Sequence, residues 1–300
     1  MSHLCDLRSR RLPRSTKNLR QIGIGLHSYH DSNSEFPSGY EADVESDEDG
    51  TAWGRSVSLL PFIEQNVLFE KLNSSELSID EVAASDEGLE LIQEKVSLFL
   101  CPSDDGDGES HQFRFISVST GSTGFSNHVA GGGNGGSNSD PIGQLAKSNY
   151  VGSLGNDWKS VQREWEDSDF KGNGLFGRNS AIRIAMVTDG TSNTIAVGER
   201  SFRNYAAVWI GVNSWQLSGF ADNQMVLGTA FYPINDEPVD SNIGIDGQGS
   251  ANFSSFHPGS ANFLFTDGAV HFVSDSVQPQ PRGVYHNLAQ RNDGEVVGEF

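Results

Sequence analysis

Residues 15–29 read STKNLRQIGIGLHSY, and this stretch decides the fold. Its apolar side chains recur every three or four positions: Leu19, Ile22, Leu26 and Tyr29. That spacing places them on one face of a helix. Gly23 and Gly25 each cost about 1 kcal/mol inside a helix, so tertiary contacts must hold it together. Pro13 is predicted to mark the helix start, because proline within a helix costs about 3 kcal/mol.

The sequence after this helix favours short strands. The clearest pattern is ANFLFTDGAVHFV at 261–273, where two alternating runs flank Asp267-Gly268, a pair that favours the positive φ angles of a tight hairpin turn. Further strands are predicted at 53–60, 113–119, 149–153, 181–184, 194–198, 206–212 and 226–232. A helix followed by many antiparallel strands predicts an α+β fold with one twisted sheet.

The charge of the chain restricts its partners. The 300 residues include 40 acidic and 20 basic side chains, giving a formal net charge of −20. Such a negative field opposes phosphate backbones, so nucleic-acid binding is excluded as the default function. The sequence contains no run of about 18 apolar residues, so no membrane span is predicted.

The basic charges concentrate at the start of the chain. Residues 1–13 form a basic, polar leader, and residues 14–300 are predicted to form a single domain with a flexible, glycine-rich insertion at 119–143. Cys5 and Cys101 are too far apart for a CxxC motif or a zinc set, and both are predicted to be unpaired thiols.

The segment TDGTSNT at 188–194 was considered as a catalytic site. Asp189 and Glu199 resemble an acid–base pair, yet the sequence supplies no nucleophile beside them and lacks the common hydrolase and nucleotide-binding motifs. Short polar side chains such as Asn193 bond their own backbone and fix turns. Asp189, Gly190, Asn193 and Glu199 are therefore interpreted as structural residues.

Histidines provide the next candidates. Nine residues separate His257 from Asp267, at opposite ends of one hairpin arm. The pair forms either a catalytic dyad or a hydrogen bond that ties the loop before the hairpin to its turn, and we favour the structural tie for His257, Asp267 and Gly268. His27 and His30 lie three positions apart and suit either a metal or the helix C-terminus, which we favour.

Two features suggest a binding module instead. Acidic clusters offer weak calcium candidates: Asp47, Asp49, Asp105 and Asp107. The first cluster matches positions 1, 3, 5 and 6 of an EF-hand loop but has Ser56 in place of the closing glutamate, and the second lacks the spacing. Both are interpreted as solvated loops, and no metal or cofactor is assigned. The chain has five tryptophans, Trp53, Trp158, Trp165, Trp209 and Trp215. They form either a sugar-stacking face or part of the core, and burial in the core is the commoner case.

Several motifs together resemble a bacterial family of unknown function whose members look like type II secretion pseudopilins. The motifs are KNLRQIGIGLHSYHD (17–31), FPSGY (36–40), LLPFIEQNVLFEKLN (59–73), FLCPSD (99–104), SNYVGSLG (148–155), VTDGTSNTIAVGER (187–200), the element from His257 to Asp267-Gly268, and LAQRNDGEVV (288–297). The resemblance implies a pilin-like architecture, with an N-terminal helix on an antiparallel sheet and a large loop-rich insertion. It implies no enzymatic activity and no catalytic residues.

Family members usually carry a prepilin signal and a long apolar helix that anchors them in the inner membrane, with the body outside the cytoplasm. Here a polar stretch replaces the apolar half, so residues 1–13 are expected to be a misassigned start or the relic of a truncated gene. With a genuine start, the chain would stay in the cytoplasm. The resemblance also places a common family cysteine near Ser15, so that Cys101 lacks this partner.

The resulting functional hypothesis is a non-enzymatic, pseudopilin-like protein. It would associate with type II secretion, a type IV pilus-like assembly or the cell surface, with other pseudopilins or surface components as partners. The alternative is an extracytoplasmic module that binds carbohydrate, or binds its ligand in a calcium-dependent way.

Overall fold

One long helix is followed by short helices and strands. The computed structural model describes residues 2–42, 51–104, 113–118, 125–128, 141–156, 172–204, 207–212, 222–236, 251–277, 279–281, 283–295 and 297–298. The described α-helices are α1 (Ser2–Asn33), α2 (Arg55–Leu59), α3 (Asn66–Leu72), α4 (Ile79–Ala83), α5 (Asp86–Ile92) and α6 (Val284–Ala289). The described strands are β1 (Tyr40–Glu41), β2 (Ala52–Gly54), β3 (Phe113–Val118), β4 (Phe125–His128), β5 (Pro141–Ser148), β6 (Tyr150–Gly155), β7 (Ile195–Glu199), β8 (Ala207–Val208), β9 (Gly211–Val212), β10 (Leu227–Thr229), β11 (Ser260–Phe265) and β12 (Val270–Ser274).

Helix α1 confirms the predicted N-terminal helix but begins earlier than expected. It starts at Ser2, so Pro13 lies inside it and the predicted start was wrong. Proline removes one backbone hydrogen bond, but its φ angle of about −65° is itself helical. The chain therefore continues as a helix on both sides of Pro13. None of the described helices is both long and apolar enough to cross a bilayer.

The central sheet has five strands in the order β10-β6-β7-β11-β12. Four of them pair antiparallel, whereas β10 lies parallel to β6. The α+β class is confirmed, but the sheet is mixed rather than wholly antiparallel. Parallel pairing needs a long connection, and the chain between β6 and β10, which includes β7, β8 and β9, provides one.

Helices α1 and α6 cover opposite faces of this sheet. The α1 residues buried against it are Leu19, Ile22 and Leu26. They share a hydrophobic cluster with Leu264 of β11, whereas the adjacent Phe263 and Phe265 pack in a second cluster with α6. Successive side chains of a strand point to opposite faces, so β11 contributes to both layers. Tyr29, the last residue of the predicted stripe, packs half-buried against the first cluster.

The two glycines of α1 allow the helix to approach its neighbours closely. A Cβ atom at Gly23 would lie 2.9 Å from Cδ1 of Leu264, and one at Gly25 would lie 2.9 Å from Cγ2 of Ile63. Both distances are shorter than ordinary van der Waals contact. Glycine at positions 23 and 25 therefore lowers helix propensity but permits tight packing. This agrees with the prediction that tertiary contacts hold the helix together.

The hairpin predicted at 261–273 is confirmed. Strands β11 and β12 pair antiparallel, and the amide of Gly268 donates to the carbonyl of Phe265 at 2.9 Å. Gly268 has a φ angle of 88°, whereas Asp267 is not among the residues with positive φ. The loop Thr266-Asp267-Gly268 is therefore a turn closed by one left-handed glycine.

Two predicted strands are wrong. Residues 181–184 lead into a 3₁₀ turn at Ile184–Met186, and most of 53–60 forms helix α2. Helix α2 is buried on nearly all sides, and a short buried run has no periodicity that separates a helix from a strand. Within the predicted 206–212 strand, residues 207–208 form β8 and residues 211–212 form β9, and these two strands belong to different sheets.

Two smaller sheets complete the described structure. One has the order β1-β2-β9 and the other β4-β3-β5-β8, and all of their pairs are antiparallel. The glycine-rich segment 119–143 contains β4 and the beginning of β5, and its other residues lie outside the described ranges.

Candidate functional site

Glu199 lies at the centre of a buried polar cluster. It is the last residue of β7, between β6 and β11, and its side chain is 1% exposed. Three side chains contact its Oε1 atom: the Ser15 hydroxyl, Cys101 Sγ at 3.6 Å and His257 Nε2 at 3.3 Å. We call Glu199 and these three residues the Glu199 centre. The groups come from α1, the segment after α5, β7 and the loop before β11.

Asn262 fixes the other oxygen of Glu199. Its backbone amide and its side-chain Nδ2 donate to Oε2, at 2.7 and 3.1 Å. Asn262 shares a face of β11 with Leu264, the face covered by α1. The pairing of β7 with β11 therefore orients the carboxylate toward the helix.

Backbone contacts position the ligand-type side chains around Glu199. The amide of Cys101 donates to Asn149 Oδ1 at 2.9 Å, just before β6. The amide of His257 donates to Ser255 Oγ at 2.9 Å. These backbone hydrogen bonds fix the positions of Cys101 and His257 independently of their contacts with Glu199. The surrounding chain therefore preorganises the centre.

Arg200 links the strand end to two neighbouring segments. It is fully buried, and it donates from Nε to the carbonyl of Asn252 at 3.0 Å and from Nη2 to that of Leu227 at 2.8 Å. Glu199 and Arg200, the last two residues of the motif VTDGTSNTIAVGER, therefore have different surroundings. Glu199 reaches the polar cluster, and Arg200 holds the segment at Asn252 and the start of β10.

A second buried carboxylate lies close in sequence to Cys101. Asp104 Oδ2 accepts from Lys147 Nζ at 2.8 Å, from the amide of Phe202 at 3.0 Å and from Asn149 Nδ2. Because Asn149 also accepts from the amide of Cys101, it bridges the two carboxylate sites. We call Asp104 and Lys147 the Asp104 pair.

The buried environment keeps the thiol of Cys101 protonated. Burial, followed by the Glu199 carboxylate, raises the pKa of Cys101 to about 12. Burial likewise raises the pKa of Tyr150, whose hydroxyl lies 3.3 Å from Ser15 Oγ. At neutral pH both groups are therefore neutral unless a cation displaces a proton.

The structure places Asp189, Gly190 and Asn193 away from the Glu199 centre. Asp189 accepts from the amides of Asp293 and Gly294, at 2.6 and 2.9 Å, so it holds the C-terminal segment. Asn193 Nδ2 donates to the carbonyl of Asp189 at 3.1 Å, and Gly190 has a φ angle of 97°. The segment is a turn that ties residues 293–294 to the start of β7.

His257 and Asp267 do not pair, so the predicted tie between them is wrong. They lie at opposite ends of β11, where His257 contacts Glu199 and Asp267 accepts from the amide of Ala269 at 2.8 Å. An extended strand keeps its two ends apart, which excludes the bond. His257 ties its loop to β7 instead of to the turn.

The other sequence candidates divide into described and undescribed residues. His30 Nε2 accepts from the amide of Ile184 at 3.3 Å, and the rings of His27 and His30 contact Phe36. Trp53 and Trp209 are buried, with their indole N–H groups bonded to main-chain oxygens. The remaining candidates lie outside the described residues: Asp47, Asp49, Asp105, Asp107, Trp158, Trp165 and Trp215.

Sequence reasoning identified Glu199 and His257 but not their joint contact. It did not assign Ser15, Cys101 or Asn262 to a site. One signal was present, because the family resemblance places a common cysteine near Ser15. The structure brings Ser15 and Cys101 to the same oxygen of Glu199.

The chemistry of the Glu199 centre is that of proton-sharing or metal-ligating groups. Within the described ranges, Cys101, Glu199 and His257 form one group whose ligand atoms all lie within 4.8 Å of one another. All three side chains are nearly inaccessible, at 7% exposure or less. The centre can therefore hold α1 on the sheet or enclose a small ion.

The fold and the site define an α+β protein whose N-terminal helix is held on a mixed sheet by a buried glutamate. The family model SBP_bac_10, described as a protein of unknown function (DUF1559), matches residues 9–280. The chain belongs to this bacterial family, which confirms the resemblance drawn from the motifs. Comparisons with curated proteins and with solved structures gave no match.

Proposed function

We propose that this chain is a non-enzymatic, pseudopilin-like protein that associates with a type II secretion or type IV pilus-like assembly, or with the cell surface. The observation that carries the proposal is helix α1. It spans 32 residues, and its stripe of Leu19, Ile22 and Leu26 packs on the central sheet. A long N-terminal helix on a sheet is the arrangement that the resemblance to pseudopilins implies.

The same helix presents an apolar side chain to solvent. Ile24 is 57% exposed, on the face of α1 opposite the buried stripe. Pilin-type subunits assemble through their N-terminal helices, so we expect this face of α1 to contact neighbouring subunits. The expected partners are other pseudopilins or components of the cell surface.

The non-enzymatic part of the proposal rests on burial. A substrate must reach the groups that react with it. Glu199 and His257 are at most 4% exposed, and both Glu199 oxygens and His257 Nε2 contact other protein groups. We therefore assign the Glu199 centre a role in holding the protein together rather than in turnover.

A photo-crosslinking residue at Ile24 tests the assembly role in bacteria that carry a type II secretion system or a type IV pilus. The matched control places the same residue at Val67 of α3, which is 69% exposed. We expect a light-dependent adduct with a pseudopilin subunit from position 24 and none from position 67. The same adducts from both positions, or none from either, would contradict the proposal.

Two further measurements separate the other function classes. A change in tryptophan fluorescence on adding glycans, with or without calcium, would support the binding-module alternative. A hydrolytic activity that disappears in His257→Gln would contradict the non-enzymatic role.

A further inference from the structure

Three metal-ligating side chains meet at the Glu199 centre without a role in the proposed assembly. Cys101 Sγ, Glu199 Oε1 and His257 Nε2 lie within 4.8 Å of one another, and all three are buried. Thiolate, carboxylate and imidazole are the donors that zinc takes in proteins. We infer that Cys101, Glu199 and His257 bind one zinc ion.

Two of the three donor–donor distances match those of a tetrahedral zinc site. Zinc binds sulfur at about 2.3 Å, nitrogen at about 2.0–2.1 Å and oxygen at about 2.0–2.2 Å, which places neighbouring donor atoms roughly 3.3 to 3.6 Å apart. The structure has 3.6 Å between Cys101 Sγ and Glu199 Oε1, and 3.3 Å between His257 Nε2 and the same oxygen. The third pair, Cys101 Sγ and His257 Nε2, lies within 4.8 Å, so binding an ion requires at most a movement of these two donors toward each other.

The charge of the site also suits a divalent ion. One thiolate, one carboxylate and one neutral imidazole carry a total charge of −2, which zinc balances. A buried site favours such neutrality because an uncompensated charge is costly in the protein interior. The proton of Cys101 leaves to solvent when the thiolate coordinates the ion.

Supporting contacts hold the ligands in place. Asn262 donates twice to Glu199 Oε2, which leaves Oε1 for coordination. The Ser15 hydroxyl contacts Oε1 from α1, and the fourth position of the tetrahedron is left for a water molecule, as in zinc sites with three protein ligands. Such outer contacts orient metal ligands and raise affinity. Calcium and magnesium prefer oxygen ligands only, so the mixed donor set selects against them.

Cobalt(II) is the probe for this site, since it replaces zinc and reports thiolate ligation by a sulfur-to-metal charge-transfer band. The full chain is dialysed against a chelator and titrated with cobalt. We expect one equivalent of cobalt per chain, the charge-transfer band, and displacement by one equivalent of zinc.

Matched variants assign the ligands. Cys101→Ser should abolish the band, and His257→Gln should weaken cobalt binding by more than about tenfold. Cys5→Ser and His27→Gln should leave the titration unchanged. Circular dichroism of each variant reports whether it is folded.

A measurement on the wild-type chain covers the case in which the ligand variants do not fold. Zinc should raise its melting temperature, and calcium and magnesium at the same concentration should not. A wild-type chain without the band or without the zinc-dependent shift would overturn the inference. A band of the same intensity in folded Cys101→Ser would overturn it as well.

Discussion

Two buried carboxylates among the described residues, Asp104 and Glu199, have different partners. Three groups donate to Asp104 Oδ2: Lys147 Nζ, Asn149 Nδ2 and the amide of Phe202. Three groups also contact Glu199 Oε1: the Ser15 hydroxyl, Cys101 Sγ and His257 Nε2. The first set includes a lysine, whereas the second consists of side chains that share protons or bind metals.

This difference assigns the two sites separate tasks. Lys147 Nζ lies 2.8 Å from Asp104 Oδ2 and both side chains are buried, so the Asp104 pair is a buried ion pair. The Glu199 centre instead combines a thiol, a carboxylate and an imidazole, which are metal-ligating groups, so its charge balance depends on what it holds. We expect substitutions at the Asp104 pair to affect stability, and those at the Glu199 centre to affect ligand binding as well.

Lys147→Met should have the largest effect on stability. It leaves Asp104 buried without its cation, and breaking a buried ion pair costs about 3–5 kcal/mol. Urea unfolding measures the loss. The double variant Asp104→Asn/Lys147→Met is the control, and it should recover part of the stability because no charge stays unpaired. A loss below about 1 kcal/mol for the single variant would show that the pair is not formed.

Ser15→Cys should form a disulfide bond with Cys101, because both side chains contact the same oxygen of Glu199. Disulfide bonds typically stabilise a protein by about 2–4 kcal/mol. Thiol counting and urea unfolding, with and without reductant, measure both effects. The background variant Cys5→Ser removes the competing thiol. Two free thiols after oxidation of the folded protein would contradict the docking of α1 at this position.

Glu199→Gln should cost about 1–3 kcal/mol in the presence of a chelator. The amide cannot accept on both of its polar atoms, so at least one buried donor loses its partner. Glu70→Gln, at an exposed position, is the matched control and should change stability by less than about 0.5 kcal/mol. Equal effects of the two substitutions would show that the donors do not depend on Glu199.

Asp80→Asn should have the smallest effect on the free energy of unfolding, because Asp80 is only half-buried. Burial raises its pKa to about 6, although Thr51 Oγ1 donates to it at 3.3 Å. The folded protein then binds a proton more tightly than the unfolded chain, so stability falls as pH rises from about 4 through 6. Asp80→Asn should remove this fall, a change of less than about 1 kcal/mol. Unfolding curves at several pH values measure it, and an unchanged pH dependence would contradict it.

Local patterns in the sequence were sufficient for parts of the fold. The stripe beginning at Leu19 predicted α1, and Asp267-Gly268 predicted the hairpin, because helix periodicity and turn chemistry act over a few residues. The predicted start at Pro13 was wrong because the φ angle of proline is helical, so the helix continues through it despite the lost hydrogen bond. Residues 53–60 were misassigned because α2 is buried on nearly every side.

The candidate site could be predicted only in part. Glu199 and His257 were selected from motifs, but Ser15 and Glu199 are 184 residues apart and meet only through the packing of α1 on the sheet. Nothing in the local sequence encodes such a contact. His257 was paired with Asp267 because they are close along the chain, whereas β11 separates them in space.

The contact between Glu199 and His257 is the centre of this account, and a double-mutant cycle measures it directly. The cycle compares Glu199→Gln, His257→Gln and the double variant by urea unfolding, first with a chelator and then with zinc. We predict a coupling energy of about 0.5–3 kcal/mol with chelator and a larger value with zinc. Effects that add within about 0.5 kcal/mol under both conditions would contradict the account.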